Sequence, residues 1–344
     1  MQKSYTIKPK GTRIEGNYGP ENVNFSRLMT RLKIELGLKQ RVGEVYENSR
    51  LDDYFFFLGI SGEGFGLKYR ITDTLGKTPE GIQALDDCFR VEGIKYRYVT
   101  ELTENFREQI VSHINSDLPV LFLNPGRKVF AVNGYDDFGK TFYFDSDTKD
   151  PVPFVDDSYY EEKKRQGIAW NAGDPVFKIP KVLIFIDGLS EPGNKREIIL
   201  SALKRGYGML TEKGRSYGEY GYGNHSYEKW LKRYENEARL DVELKELASM
   251  APKIKFDLAE RRCYLVWFMR QCEFELGKNV LKTAFDSFNE IHELMWEIHR
   301  CVSDIIDKYA TRDMVIEIIH KARELDLKAA KNIKQVLGDY KIFV

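Results

Sequence analysis

Apolar and polar residues alternate in short blocks through the middle of the chain. Three runs rich in β-branched and aromatic residues lie at 120–123, 129–137 and 141–145. Turn-forming residues separate them, at 124–126 and at 136–139. Such runs between turn residues predict consecutive antiparallel strands. We therefore expect a three-stranded meander with a helix before it, and a fourth apolar run at 182–186 adds a returning strand.

Before this block the apolar positions follow helical spacing. The first such stretch places its apolar residues three and four apart, at Phe25, Leu28, Met29, Leu32 and Leu36. That spacing predicts a helix, for which Asn24 is a favourable N-cap and Gly37 a favourable stop. Further patterns predict a helix over 79–90, ending near Gly93, a strand at 96–99, and a helix capped by Thr103 and running to about Ile114.

After residue 190 the pattern is almost entirely helical. A helix over about 194–210 begins with Asn194 and Glu197, a variant of the capping box. Four later apolar stripes lie at 227–238, 264–272, 281–309 and 315–336. Four amphipathic helices with short connections are typical of a bundle. Since 344 residues are enough for two cores, we expect an α+β domain at 1–188 and a helical domain at 189–344.

A glycine-rich segment lies ahead of the meander, at 57–69, with the sequence FLGISGEGFGLKY. Its glycines do not form the pattern of a phosphate-binding loop, because neither GxGxxG before a helix nor GK[ST] is present. We interpret them as positions of close backbone approach and positive φ beside a cavity.

Charge and composition exclude several classes of function. Lys and Arg together number 53, as do Asp and Glu, so the chain lacks the basic surplus typical of nucleic-acid or anionic-membrane binding. No apolar run approaches the roughly 18 residues of a membrane span, and the N-terminus lacks the apolar core of a signal peptide. We expect a cytoplasmic protein.

Cysteines and histidines give no metal or disulfide pattern. The four cysteines, Cys88, Cys263, Cys272 and Cys301, are scattered and include no CxxC pair. The five histidines do not converge with thiolates or carboxylates at the spacing of a metal site, so no metal and no cofactor is expected. His225 stands out because it lies in a loop rich in Gly and Tyr, where it could face a cleft.

The motifs together resemble a known family. The glycine-rich segment is followed by PVLFL at 119–123, by FAVNGYDD at 130–137 and by FDS at 144–146. This order resembles the papain-like fold of bacterial leader-peptidase-like cysteine peptidases, and most of all the acyltransferase family of butirosin biosynthesis protein H. That family carries a helical C-terminal domain with a GxxAYxxW motif, which GNHSYEKW at 223–230 resembles. The resemblance implies a papain-like domain followed by a helical one.

The same resemblance implies that the chemistry has been lost. The family has a nucleophilic Cys at the start of its first helix, a His opening a strand, and an Asp or Asn at the end of the next strand. The corresponding positions here are Asn24, Phe130 and Asp145. An amide and a phenyl ring supply neither nucleophile nor base, and triad members act as a unit. Ser26, in the first turn of the helix, has no histidine near it in the motif.

The sequence therefore favours a pseudoenzyme that keeps the cleft of the family. The cleft is expected between Asn24, the segment 59–66 and Phe130. Candidate ligand-binding residues are Tyr18, Ser26, Glu63, Tyr135 and His225. The expected ligand is a small acyl, peptidyl or amine compound, and the expected partner is an acyl carrier protein or an enzyme of a natural-product or peptide-modification pathway.

Two alternatives remain open. In the first, residues such as Ser26, His225 or Cys88 rebuild an active acyltransferase or amidase. In the second, the long stripe at 281–309 extends across a two-fold axis, and the protein is a helical-bundle scaffold that forms a homodimer.

Overall fold

The chain folds into a mixed structure of helices and one large sheet. The computed structural model describes residues 5–6, 24–38, 48–66, 79–101, 104–123, 129–136, 141–145, 152–154, 182–211, 216–217, 220–221, 224–235, 258–306 and 312–344. The helices are α1 (Asn24–Glu35), α2 (Asn48–Ile60), α3 (Pro79–Arg90), α4 (Phe106–Asn115), α5 (Lys195–Thr211), α6 (Asn224–Glu235), α7 (Glu260–Leu276), α8 (Lys282–Ile306) and α9 (Arg312–Asp339). The strands are β1 (Tyr5–Thr6), β2 (Ile94–Val99), β3 (Val120–Leu123), β4 (Val129–Asp136), β5 (Thr141–Asp145), β6 (Val152–Phe154), β7 (Val182–Leu189), β8 (Ser216–Tyr217) and β9 (Tyr220–Gly221). The α+β class predicted from the sequence is thus confirmed.

The predicted meander forms the centre of the sheet. The strand order is β2-β7-β3-β4-β5-β6, with β1 also on β4, and every neighbouring pair is antiparallel. The returning strand β7 inserts between β2 and β3, so the apolar run at 182–186 is covered by strands on both sides. The pairing of β4 with β5 shifts by one residue between Val132 and Gly134, which is a β-bulge.

The two faces of the sheet belong to different cores, because successive side chains of a strand point to opposite sides. One face contributes Leu121, Ala131 and Ile184 to a first core, which also contains helices α1, α2, α3, α5 and the four helices α6 to α9. The other face contributes Phe122, Val132 and Phe185 to a second core under α4, with Ile110, Val111 and Ile114. Among the described residues, the sheet therefore lies between α4 on one face and the helices of the first core on the other.

Local signals placed three of the helix ends correctly. Gly37, with φ of 73°, follows α1, and Gly93, with φ of 65°, follows α3. Before α5, the backbone N–H of Glu197 donates to Oδ1 of Asn194 at 3.3 Å, and Nδ2 of Asn194 donates to the Glu197 carboxylate at 3.1 Å. The predicted capping box is confirmed. The helix predicted to follow Thr103 begins later, at Phe106, with Asn105 as its N-cap residue. Thr103 itself lies outside the described residues.

The C-terminal helices pack into the first core together with the N-terminal ones. The apolar stripe of α8 is buried there through Leu281, Ala284, Phe288, Ile291 and Met295. This part of the stripe is occupied inside its own chain and is not available for the two-fold interface that the sequence suggested; a homodimer remains a prediction. The division of the chain at residue 188 also remains a prediction, and the first core contains residues from both sides of it.

Candidate functional site

The glycine-rich segment predicted to line a cleft forms the end of α2 and the loop that follows, residues 61–66. Gly62 turns this loop with φ of 84°, a conformation that a Cβ would strain. Ser61, Glu63 and Phe65 are all buried. A segment of glycines and one carboxylate is therefore fully enclosed, and the groups that enclose it decide its chemistry.

Helix α7 lies directly against this segment. A Cβ on Gly59 would stand 2.2 Å from the ring of Phe268, and a Cβ on Gly64 would stand 2.7 Å from a methyl of Leu265. The close backbone approach predicted for these glycines is confirmed. The cavity expected beside them is corrected at Gly59 and Gly64, because their neighbours there are packed side chains of α7.

Three arginines from the C-terminal helices bind the carbonyl groups of this segment. Arg205 donates to the Ile60 carbonyl at 3.0 Å. One nitrogen of Arg261 donates to the carbonyls of Glu63 and Gly66 at 2.6 and 2.7 Å. Arg262 donates to the Gly64 carbonyl at 2.6 Å. We call Arg205, Arg261 and Arg262 the arginine clasp.

Buried carboxylates balance two of these cations. Arg205 donates to Asp87 at 2.9 Å. Arg262 makes a two-pronged pair with Asp326 at 2.9 and 2.7 Å. Burial alone would lower the pKa of Arg262, but the Asp326 carboxylate outweighs it and raises that pKa. Both pairs therefore lie in the interior of the protein, with side chains at most 6% exposed.

The Tyr of the GNHSYEKW motif completes this network. Tyr227 is buried, and its hydroxyl donates to Asp326 at 2.8 Å. Burial, and then the Asp326 carboxylate, raise the pKa of Tyr227 well above its ordinary value. The hydroxyl thus stays protonated and serves as a donor. Through Asp326 and Arg262, the motif connects to the Gly64 carbonyl.

Ser26 and Glu63 are the two candidate residues that the structure brings together. The Ser26 hydroxyl donates to a Glu63 carboxylate oxygen at 3.4 Å, and both residues are buried. Thr30 donates to the Ser26 carbonyl at 2.9 Å, which is an ordinary bond within a helix. Ser26 therefore contacts a carboxylate in the interior of the protein, without exposure to solvent.

The other candidates lie apart from this pair. Tyr135 is buried in the second core, where its hydroxyl donates to Asn115 at 2.8 Å. His225 is the second residue of helix α6 and not part of a loop as the sequence suggested, and its Nδ1 lies 3.4 Å from the Glu228 carboxylate. Tyr18 lies outside the described residues. The structure thus distributes the described candidates over three places.

The three positions that the resemblance matches to a catalytic triad are Asn24, Phe130 and Asp145, and their backbone lies in α1, β4 and β5. Asn24 is the first residue of α1, and α1 packs against β4. Phe130 is the β4 partner of Phe122, and Asp145, the last residue of β5, is the partner of Ala131. Ala131 contributes to the first core, and so do residues of α1. Their own side chains lie outside the described part of the chain.

Two of the described cysteines are buried in the interior, and Cys263 is half-buried. Cys88 and Cys272 are fully buried, and burial raises the pKa of each well above its ordinary value. For Cys88, the Arg205 cation pulls in the opposite direction but does not outweigh burial. Burial also raises the pKa of Cys263. Since the thiolate is the nucleophile, none of these three is activated.

A second polar cluster lies on the outer side of the sheet, where α4 meets β2 and β7. Arg97 donates to Asp187 at 2.9 Å, and Nε2 of His113 lies 2.9 Å from the other Asp187 oxygen. The His113 ring and the Arg97 guanidinium both pack on Phe185. We call these residues the surface cluster. It pairs a histidine with a carboxylate, but no third His, Cys, Asp or Glu joins them to form a metal site in the described ranges.

Within the described residues, no helix is both long and apolar enough to cross a lipid bilayer. A comparison of the chain with models of known protein families gives no match, and a comparison with curated proteins gives none.

Proposed function

We propose that the chain is a papain-like protein of the butirosin protein H type that has lost catalysis and acts by binding. The packing of α1 against β4, and the position of Phe130 and Asp145 on adjacent strands, support this assignment. The glycine-rich segment and the helical half, in the order of the family motifs, support it further.

The observation that carries the proposal is the burial of the described nucleophiles. Ser26 and Cys88 are both 0% exposed. Burial raises the pKa of Cys88, and the Ser26 hydroxyl donates to a carboxylate instead of an imidazole. Attack on an acyl group requires an accessible and activated nucleophile. Neither group meets that requirement.

The packing of the loop 61–66 affects which class of ligand can reach it. Its carbonyls are occupied by the arginine clasp, and α7 covers Gly59 and Gly64. A small ligand would have to displace buried charges to reach this loop. We therefore favour a partner enzyme or an acyl carrier protein, in a natural-product or peptide-modification pathway, over a small acyl, peptidyl or amine ligand at this loop.

The first experiment measures turnover. Purified full-length protein is incubated with acyl-pantetheine thioesters and short peptides, and thiol release and cleavage are followed beside an Asp145→Ala variant. We expect no release above the buffer rate. Turnover that is lost in Asp145→Ala would contradict the proposal, because it would show that Asp145 takes part in catalysis.

The Ser26–Glu63 contact is the observation that favours the second candidate, an acyltransferase using substitute residues. It is tested with an electrophilic acyl probe followed by peptide mass spectrometry, with Ser26→Ala and Cys88→Ala as controls. For Cys88, the same protein in denaturant shows that the probe reaches the thiol when it is exposed. Labelling of native Ser26 or Cys88 would support the enzyme, and the absence of labelling at both residues in the native protein would exclude it.

A further inference from the structure

The arginine clasp connects the two halves of the chain through buried hydrogen bonds that cross from one half to the other. The acceptors at Ile60, Glu63, Gly64 and Gly66 belong to the first half, and all three donors belong to the second. Asp87 of the first half receives the Arg205 guanidinium and the Ser201 hydroxyl, at 2.9 and 2.8 Å. Separating the halves would strip several buried groups of partners at once.

Separating the two halves costs free energy for buried groups of each half. As long as these groups stay buried, each polar group without a partner costs its full desolvation penalty, and a charge without its counter-ion costs more. Asp87 is 1% exposed, and Arg261 and Arg262 are 0% exposed. The same contact site has little room for adjustment, since Gly59 and Gly64 already touch α7 side chains.

We propose that the arginine clasp couples the two halves into one cooperative folding unit, although the length and sequence pattern predict two domains. The sheet half cannot hold the loop 61–66 without the helical half, and opening of one half opens the other. This inference concerns the fold and is independent of the proposed function.

The chain contains its own probes for the test. Cys88 is buried in α3 of the first half, and Cys272 is buried in α7 of the second half. Full-length protein is equilibrated across a urea series and pulsed with N-ethylmaleimide, and labelling at each cysteine is read by peptide mass spectrometry. We expect the two cysteines to become reactive at the same urea concentration.

The variant Arg261→Met tests the clasp itself. It removes the bonds to the Glu63 and Gly66 carbonyls and keeps apolar volume in α7. We expect the two midpoints to separate, with Cys88 reacting at lower urea, because the helical half keeps its own packing. Arg196→Met is the matched control, since Arg196 is an exposed arginine that bonds a carbonyl within the second half. It should leave the midpoints coincident.

Two results would overturn the proposal. The first is different midpoints in the unmodified protein, which would show two independent units. The second is coincident midpoints in Arg261→Met, which would assign the coupling to the apolar core. If Arg261→Met yields no folded protein, Arg261→Gln, which removes the guanidinium but keeps a polar side chain, is measured in the same way and judged by the same two results.

Discussion

Two Arg–Asp pairs in this protein have nearly the same length and different surroundings. Arg262 and Asp326 lie 2.7 Å apart with side chains 0% and 3% exposed. Arg97 and Asp187 lie 2.9 Å apart with side chains 51% and 29% exposed. In the interior, removing one partner leaves a charge that water cannot reach. At the surface, water and salt replace the lost partner at little cost. Burial, and not distance, therefore decides what each pair contributes.

The largest expected effect comes from breaking the buried pair. Arg262→Ala leaves the Asp326 carboxylate without its cation and the Gly64 carbonyl without its donor. We expect the free energy of unfolding to fall by about 3–5 kcal/mol, the usual cost of a buried charge that loses its partner. Urea unfolding followed by circular dichroism measures it. A loss below about 1 kcal/mol, the range of surface pairs, would show that the two pairs do not differ as argued.

The second effect tests the close approach that the buried network requires. In Gly59→Ala the new methyl would overlap the ring of Phe268, with Cβ 2.2 Å from the nearest ring atom. We expect a loss of about 3 kcal/mol from overpacking. Gly338→Ala is the matched control, since it also lies in a helix and a Cβ there meets nothing within 4 Å. The free energy of unfolding of that variant should rise by up to about 1 kcal/mol, because Ala has a higher helix propensity than Gly. In thermal unfolding, Gly59→Ala should therefore lower the midpoint temperature and Gly338→Ala should raise it.

A smaller effect is expected from the hydroxyl that supports the buried pair. Tyr227→Phe removes one hydrogen bond to the Asp326 carboxylate and leaves Arg262 in place. A bond to a charged group contributes about 1.5–3 kcal/mol, and we expect a loss near 2 kcal/mol. Tyr340→Phe, which removes a bond to the Leu276 carbonyl at 3.1 Å, should lose about 1 kcal/mol or less. Equal losses in the two variants would contradict a special role for Asp326.

The pH dependence of stability tests another partly buried cluster, formed by Lys33 with Asp53 and Glu92. Burial lowers the pKa of Lys33, but the two carboxylates, at 2.9 and 2.8 Å, outweigh burial and raise it above 10.5. A raised pKa contributes stability that is complete below the unfolded value and is lost as the pH rises through the folded value.

We therefore expect the contribution of Lys33 to the free energy of unfolding to stay constant up to about pH 10 and to fall above it. Burial raises the pKa of Tyr227, which adds to the same fall. Lys33→Met should make the alkaline decline shallower without abolishing it. Urea unfolding at steps between pH 8 and 11 checks this, and an unchanged slope would show that Lys33 gains nothing from the two carboxylates.

Most of the fold could be predicted because its signals are local. Asn194 and Glu197 lie three residues apart and form their cap within one turn. The strands of the meander are separated only by short turns, so their pairing followed from the order of the runs. The position of Tyr135 could not be predicted from such local signals. Val132 and Tyr135 are three residues apart, so strict alternation would place their side chains on opposite faces of the sheet. The bulge between Val132 and Gly134 instead places both side chains in the second core. No sequence pattern indicated that bulge.

The arginine clasp could not be predicted because its partners are distant in sequence. Arg262 and Asp326 are 64 residues apart, and two adjacent arginines in a helical segment are usually a solvated face. One signal was present. The stretch 264–269 is apolar at every position, which is typical of a helix buried on most of its surface; in the structure Trp267 is the exposed member. Arginines one turn before such a stretch are expected to need buried acceptors.

The smallest effect is expected at the surface cluster. Arg97→Ala removes the guanidinium from Asp187 and from the Phe185 ring, while the His113 contact with Asp187 stays. We expect a loss of at most about 1 kcal/mol. A double-mutant cycle with Asp187→Ala isolates the pair from the ring contact, and its coupling energy should decrease when the ionic strength is raised, because exposed charges are screened. The corresponding cycle at Arg262 and Asp326 should keep its value in the same salt series. A coupling energy that responds equally to salt in both cycles would mean that water reaches both pairs, and the contrast between them would then not arise from burial.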